Sequence, residues 1–335
     1  MFPSPDAAAA QETEDGFIKK GMVYGKSGAS GDAIDEFSKA IENNPLSAAA
    51  YTLRGFAYEE KGDVDNAILD YNQAITIDPK TAKTYTLRGH ALRKIGNLDG
   101  ALLDYSKAID LDPAYPLAYV HRGVAYDERG ESGQAITDYN TAISLDPDFA
   151  QAYYNRAIAY QALGNIPAAI KDYTKSIELE PQNSGAFYGR GLAHKQRQEM
   201  SDAISDYNKA IQMDSRNTDA FYGRGVVYDD NGDFKQAVED FTRVIEMDPG
   251  RVEAYCRRGN SAIYETKLEQ AIADYTNAIK IDPRRAEAFQ GRALAYFITK
   301  EYDKSWGDVR QAEALGCLIH PKFLEALKEA SGRPR

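Results

Sequence analysis

The side chains with most capacity for chemistry in this chain are its charged groups, 51 Asp and Glu against 40 Lys and Arg. Two neighbouring carboxylates can divide the roles of general acid and base, and an Arg can hold an anionic substrate through its fork of N–H donors. Here, however, Arg54, Arg88, Arg122, Arg156, Arg190, Arg224, Arg258 and Arg292 stand 34 residues apart. So do Asp70, Asp104, Asp138, Asp172, Asp206, Asp240, Asp274 and Asp308, each sixteen residues after an Arg. A catalytic pair is needed once, whereas a pair repeated at every period belongs to the architecture. The other candidates are sparse. His90 and His121 are two imidazoles with no Cys and no acid at ligand spacing, a poor metal site, and are expected to be solvated. Cys256 and Cys317 lie far apart, which argues against a disulfide framework, and nothing marks either as an activated thiol. The chain has no Walker loop, dinucleotide fingerprint, HExxH or GxSxG arrangement. The expectation is no catalysis, no cofactor and no metal.

The elements that position these groups follow from the same period. Pro45, Pro79, Pro113, Pro147, Pro181, Pro249 and Pro283 fall on the 34-residue grid, with Ser215 at the one missing tooth. The frame gives nine units: 14–47, 48–81, 82–115, 116–149, 150–183, 184–217, 218–251, 252–285 and 286–319. Apolar spacing inside each unit is helical, with an aromatic core anchor at the fourth position, from Phe17 and Tyr51 to Phe289. Four residues later stands Gly or Ala, as at Gly55 and Ala157, and the twentieth position is Ala in the first eight units, as at Ala67. A mid-helix Gly costs about 1 kcal/mol against Ala, so small is expected to face small where two helices meet. Gly28, Gly62, Gly96, Gly130, Gly164 and Gly232 set the turn, since Gly accepts the left-handed conformation that ends a helix. The Asp-Pro step, as in Asp78-Pro79, stops the second helix.

These residues resemble the tetratricopeptide repeat family over 14–319, in a bacterial-looking version with Arg-Gly in most first helices. The resemblance implies an all-α, right-handed superhelical solenoid of stacked antiparallel helix pairs, with first helices lining a concave groove. One hairpin cannot bury its apolar face alone, so the end units need modified faces. Trp306 and the segment from Phe323 to Leu327 are expected to cap the last hairpin within a C-terminal helix and tail, 320–335, and residues 1–13 to form a disordered tail. The chain departs from the commonest family pattern at positions seven and twenty-three, the Arg and Asp columns, which become Lys20 and Glu36 in the first unit. Each Arg is expected to reach an Asp across the hairpin or the repeat junction, in a ladder of partly buried ion pairs. The rival reading is an arginine track for anionic ligands.

By the same resemblance, positions two, five, six, nine, twelve and thirteen of each first helix face the groove, where the units stop being alike. Tyr154, Tyr188 and Tyr222 share position five, one repeat apart, and two of them precede Gly189 and Gly223. A tyrosine platform for an extended segment, with backbone exposed at the glycines, is one reading; rings packed against neighbouring helices are the other. Asn155, Asp219, Asp229, Asp230, Glu253 and Arg257 lie around them and suggest a ligand with basic as well as apolar side chains. Some family members clamp a chaperone's terminal carboxylate, and the nearest window here, Thr86, His90, His121, Gln151 and Asn155, lacks a fixed positive charge.

A formal charge of −11 argues against nucleic acid, and no run of 18 apolar residues offers a membrane span. The first residues lack the basic and apolar regions of a secretory signal, and the low cysteine count suits a cytoplasmic location, although an exported form with its signal removed is compatible. The expected role is a non-enzymatic adaptor, monomeric in the favoured reading, that binds a partner peptide or helix in the groove. The alternatives are a homo-oligomer assembled through end or convex faces, a co-chaperone with a carboxylate clamp, and a recognition arm of a larger complex.

Overall fold

The computed structural model describes residues 13–332, and these divide between Asp172 and Tyr173 into two compact units, 13–172 and 173–332. The expected disordered tail therefore lies, except for Thr13, outside the described residues. In the first unit, α1 (Glu14–Lys26) pairs with α2 (Ser30–Asn43), α3 (Ala48–Glu60) with α4 (Val64–Ile77), α5 (Ala82–Lys94) with α6 (Leu98–Leu111) and α7 (Pro116–Glu128) with α8 (Ser132–Leu145), and α9 (Ala150–Ala162) follows. The division falls inside α10 (Ile166–Leu179). In the second unit, α11 (Ser184–Gln196) pairs with α12 (Met200–Met213), α13 (Thr218–Asn231) with α14 (Phe234–Met247), α15 (Val252–Tyr264) with α16 (Leu268–Ile281) and α17 (Ala286–Ile298) with α18 (Tyr302–Ala314). Finally, α19 (Pro321–Ser331) packs on α18. Within each unit the second helix of one hairpin packs on the first helix of the next, and successive first helices also touch, as α3 does α5 and α13 does α15. No strand occurs among the described residues.

The deepest side chains are the rings next to the Asp column, at position twenty-four: Tyr71, Tyr105, Tyr139, Tyr207, Phe241 and Tyr275 are essentially fully buried. The position-four rings are shallower; Tyr51, Tyr119, Tyr153 and Phe221 are half-buried. The helical glycines serve the deep rings. A Cβ on Gly55 would lie 2.8 Å from Tyr71 Cε1, and one on Gly123 would lie 2.5 Å from Tyr139 Cε1. The glycine thus makes room first for an aromatic ring, and the Ala column also comes close, a Cβ on Gly55 lying 3.1 Å from the Ala67 carbonyl oxygen; small does face small, with the ring beside them. A flat ring in van der Waals contact with a helix backbone buries far more apolar area than two methyl-sized groups would.

Turn and stop signals act locally. Gly28, Gly62, Gly96, Gly130, Gly164 and Gly232 have φ between 75° and 87°. In the three units without that Gly, Gln198, Thr266 and Lys300 take the same left-handed region at φ 62°, 56° and 65°, where L side chains are strained. At the far end Asp78 is extended (φ −129°) ahead of Pro79. Its carboxylate accepts from the Lys80 N–H (3.0 Å) and the Thr81 hydroxyl (2.6 Å), closing the junction. In the last hairpin Trp306 is buried in a cluster with Phe323, Leu324 and Leu327, and its indole N–H donates to Ser331 Oγ at 3.1 Å.

Candidate functional site

The arginine column forms a regular device. Arg54, Arg88, Arg122, Arg156, Arg190, Arg224, Arg258 and Arg292 each donate from Nε and Nη2 to both oxygens of the Asp sixteen residues later, within their own hairpin, at 2.6–2.9 Å. The Asp side chains are 2–8% exposed and the Arg side chains 14–22%. Sequence reasoning missed the third bond. Each Nη1 reaches back sixteen residues to a polar group at position twenty-five of the preceding hairpin: Ser38, Asn72, Ser106, Asn140, Thr174, Asn208, Thr242 or Thr276. One guanidinium therefore ties its own hairpin and its predecessor together. Its flat underside rests near the position-four ring, as Arg54 does on Tyr51 (5.5 Å) and Arg156 on Tyr153 (5.5 Å).

The electrostatics follow from burial. The hydrogen bonds that Arg54 donates to Asp70 hold the Arg54 pKa above its ordinary value, and Asp104, Asp138 and Asp308 do the same for Arg88, Arg122 and Arg292. Desolvation pushes Asp240 and Asp274 upward, against the opposing pull of Arg224 and Arg258. In the first hairpin Glu36 holds Lys39 at 2.5 Å.

On the first-helix face of the first unit, the histidines are not solvated bystanders. His121 lies against His90 (ring centroids 5.4 Å) and stacks on Tyr105 (5.8 Å). Burial pushes its pKa down to about 4, with smaller contributions from His90 and Arg93. An acid also stands beside them, contrary to the sequence expectation: Glu59, itself buried, meets His90 Nδ1 at 2.5 Å and Lys94 Nζ at 2.9 Å, and accepts from the Tyr71 hydroxyl at 3.2 Å. Glu59 sits 31 residues before His90, a separation that only hairpin stacking closes. Tyr154 is half-buried, its hydroxyl pKa raised by desolvation. Asn155 holds a buried Nδ2 without a hydrogen-bond partner.

In the second unit, Tyr188 lies on Tyr207 (6.0 Å) and Tyr222 on Phe241 (5.8 Å). Arg251 covers the Tyr222 face at 4.2 Å and bonds Asp219 at 2.8 Å. Asp229 accepts from Arg257 (3.3 Å) and from Ser261 (2.7 Å), and Glu253 accepts from Arg285 (3.2 Å). Of the acids expected to greet a basic ligand, Asp219, Asp229 and Glu253 are thus already matched by arginines of the chain itself. Gly189 and Gly223 are not exposed backbone either. A Cβ at Gly189 would lie 2.5 Å from Tyr173 Cζ, and one at Gly223 would lie 2.9 Å from Tyr207 Cζ. Each glycine accommodates the tyrosine of the preceding hairpin, and Gly291 does so for Tyr275. Where that ring is Phe241, lacking the hydroxyl, the same position carries Arg257.

Arg257 stands in the wall of a cavity of about 630 Å3, which Tyr222, Cys256, Asn260, Leu294 and, from α19, Phe323 also line. Burial raises the Cys256 thiol to about 11, so it is an inert wall rather than a nucleophile.

Paired antiparallel helices stacked with this 34-residue period define a helical-hairpin repeat protein. Sequence models of the tetratricopeptide repeat match residues 18–82 and 256–314, 89–130, 126–164 and 193–232, and 150–183 and 218–251. The chain belongs to the tetratricopeptide repeat family, whose members are typically protein-interaction scaffolds rather than enzymes. Solved structures share the fold. YrrB, described as a TPR protein with an unusual peptide-binding site, is 23% identical over 56% of this chain and 97% of that chain, with a TM-score of 0.51. A tetratricopeptide repeat protein of Parabacteroides merdae is 23% identical over 74% of this chain and 98% of its own, at TM-score 0.54. For pilF of Pseudomonas aeruginosa the figures are 18%, 62%, 94% and 0.57. The comparison with curated proteins gives no match. No helix among the described residues is long and apolar enough to cross a membrane.

Proposed function

We propose that this chain is a scaffold that holds an extended segment of a partner protein on the first-helix face of its second unit. The observation that carries this reading is the cavity of about 630 Å3 built from positions five, six and nine of consecutive repeats and walled by α19. Its size is that of a site for a few side chains. Apolar walls from Tyr222, Leu294 and Phe323 stand beside the polar groups of Asn260 and Gln290, a mixture suited to side chains and backbone together. Arg257 adds a lightly committed donor, since its bond to Asp229 is long at 3.3 Å. The ligand side chain met by Arg257 is therefore an acceptor, acidic or amide, while Glu253 and Glu287, which also line the cavity, are held by Arg285. That YrrB, a protein of the same fold, is described by its peptide-binding site suits this reading.

Selection of a displayed random-peptide library on the full chain tests it, followed by fluorescence anisotropy of the enriched peptides. Leu294→Glu and Arg257→Ala are expected to weaken binding at least about tenfold, the loss of one well-packed contact. Leu103→Glu, at an exposed side chain of the other unit, is expected to leave binding unchanged. Equal binding by all three variants would place the function elsewhere. Sedimentation velocity over a hundredfold concentration range addresses the rival: a species that grows beyond the 37.1 kDa chain favours self-assembly.

A further inference from the structure

We propose that His194, Glu199 and Asp202 form a site for a divalent transition metal, Zn2+ being the best match, at the turn between α11 and α12. Each offers a ligand atom, and the three atoms lie within 4.8 Å of one another. One imidazole nitrogen with two carboxylate oxygens is a donor set that Zn2+ accepts, leaving the fourth tetrahedral position to water.

Acids at a helix start are ordinary, because they complement the helix dipole. What sets this turn apart is an imidazole between two carboxylates. Glu199 Oε2 stands 2.7 Å from His194 Nδ1, and Asp206 Oδ2 stands 3.8 Å from Nε2. A neutral imidazole has one N–H to give. Asp206 is buried and fixed by the fork of Arg190 (2.7 Å); at 3.8 Å it is beyond hydrogen-bond reach of Nε2, whereas Nδ1–H donates to Glu199 Oε2 at 2.7 Å. A metal ion held by Nδ1, Glu199 and Asp202 would take the place of that Nδ1 proton, leaving the imidazole N–H on Nε2, toward Asp206. Asp206 takes the part of the outer carboxylate that orients a metal-bound histidine. Glu199 keeps Oε2 on this side, its other oxygen accepting from Arg197 at 3.0 Å.

The repeat frame provides an internal comparison. The position of His194 is Tyr in six other units, at Tyr24, Tyr58, Tyr126, Tyr160, Tyr228 and Tyr296. Among the nine units only this one joins a His there to acids at the positions of both Glu199 and Asp202. The turn it would tie is one of the three in which a non-glycine, Gln198, holds φ 62°. Donor atoms around tetrahedral zinc stand about 3.3 Å apart, given bonds near 2.0–2.1 Å. Asp202 is exposed on the first turn of α12, and its free rotation supplies the remaining closure.

The full chain, stripped with a chelator and dialysed, is titrated with ZnCl2 by calorimetry and with Co2+ by visible absorption, beside His194→Tyr and Asp202→Asn. His194→Tyr restores the residue most other units carry, so it is expected to fold. The expected result is one saturable ion per chain, a melting temperature raised by Zn2+, and binding at least about tenfold weaker in either variant. Absence of saturable binding overturns the proposal. So does binding that survives both variants, which would assign the ion to another cluster such as Glu59, His90 and His121.

Discussion

Replacing Arg258 by Ala removes the best-buried rung of the arginine column. Its partner Asp274 is 2% exposed and receives two bonds of 2.9 and 2.6 Å. Breaking a buried pair costs about 3–5 kcal/mol, because a charge is left unpaired out of water. Loss of the bond to Thr242 (2.9 Å) in the preceding hairpin adds about 1 kcal/mol. Asp274 has an escape: burial already holds its pKa above the ordinary carboxyl value, and without Arg258 it rises further and the group takes up a proton. That limits the loss to about 3–4 kcal/mol at neutral pH and gives it a sign. A carboxyl whose folded pKa is raised contributes stability present below the unfolded value and lost as pH rises through the folded one. The deficit of Arg258→Ala is therefore smallest near pH 4 and grows toward neutrality. Urea unfolding followed by circular dichroism at about pH 4.5 and 7.5 measures it, with hydrogen exchange in α15 and α16 locating the loss. A deficit near 0.5 kcal/mol, as for an exposed substitution, or one indifferent to pH, refutes the reasoning.

Three further outcomes are expected. Thr266, a β-branched residue at φ 56°, makes Thr266→Gly stabilising by about 0.5–1 kcal/mol, the left-handed strain removed less the added freedom of the unfolded chain; a lower melting temperature would contradict this. Gly223→Ala, whose Cβ would meet Tyr207 Cζ at 2.9 Å, is expected to lose about 1–2 kcal/mol by overpacking, whereas a glycine kept only for ligand approach would gain about 1 kcal/mol on the same substitution. His121, with its pKa lowered from 6.5 to about 4, contributes stability present above pH 6.5 and lost as pH falls toward 4, about 3 kcal/mol in all; melts of His121→Leu should show a weaker acid dependence than the parent chain, and equal dependence would place the titration elsewhere.

The hairpins, their turns and their stops are legible because each signal recurs in unit after unit, so that one reading is checked by its neighbours. The Arg and Asp columns are legible for the same reason. Their third partner is not, since Ser38, Asn72 and Thr174 share only an oxygen that can accept, and a column of mixed polar residues looks like solvent-facing helix. Gly189 and Gly223 mislead because a glycine made for a ligand and one made for a ring have the same sequence, and the Tyr sixteen residues earlier does not tell them apart, since Tyr71, Tyr105 and Tyr139 stand as far ahead of Leu87, His121 and Asn155. Glu59 escapes notice because it ends a first helix among exposed neighbours, and only the next hairpin buries it under His90 and Lys94.

The sixteen-residue reach of each arginine in both directions makes the hairpins interchangeable at their joints. Ser, Asn and Thr all serve as the backward acceptor, and the forward acceptor travels with the arginine in its own hairpin. Excising one whole period, or duplicating one, would hand every guanidinium a new neighbour of the same kind. A gene encoding such a chain can lengthen or shorten the array by recombination between repeats without stranding a buried charge, and the number of hairpins is then free to follow the length of whatever the array holds.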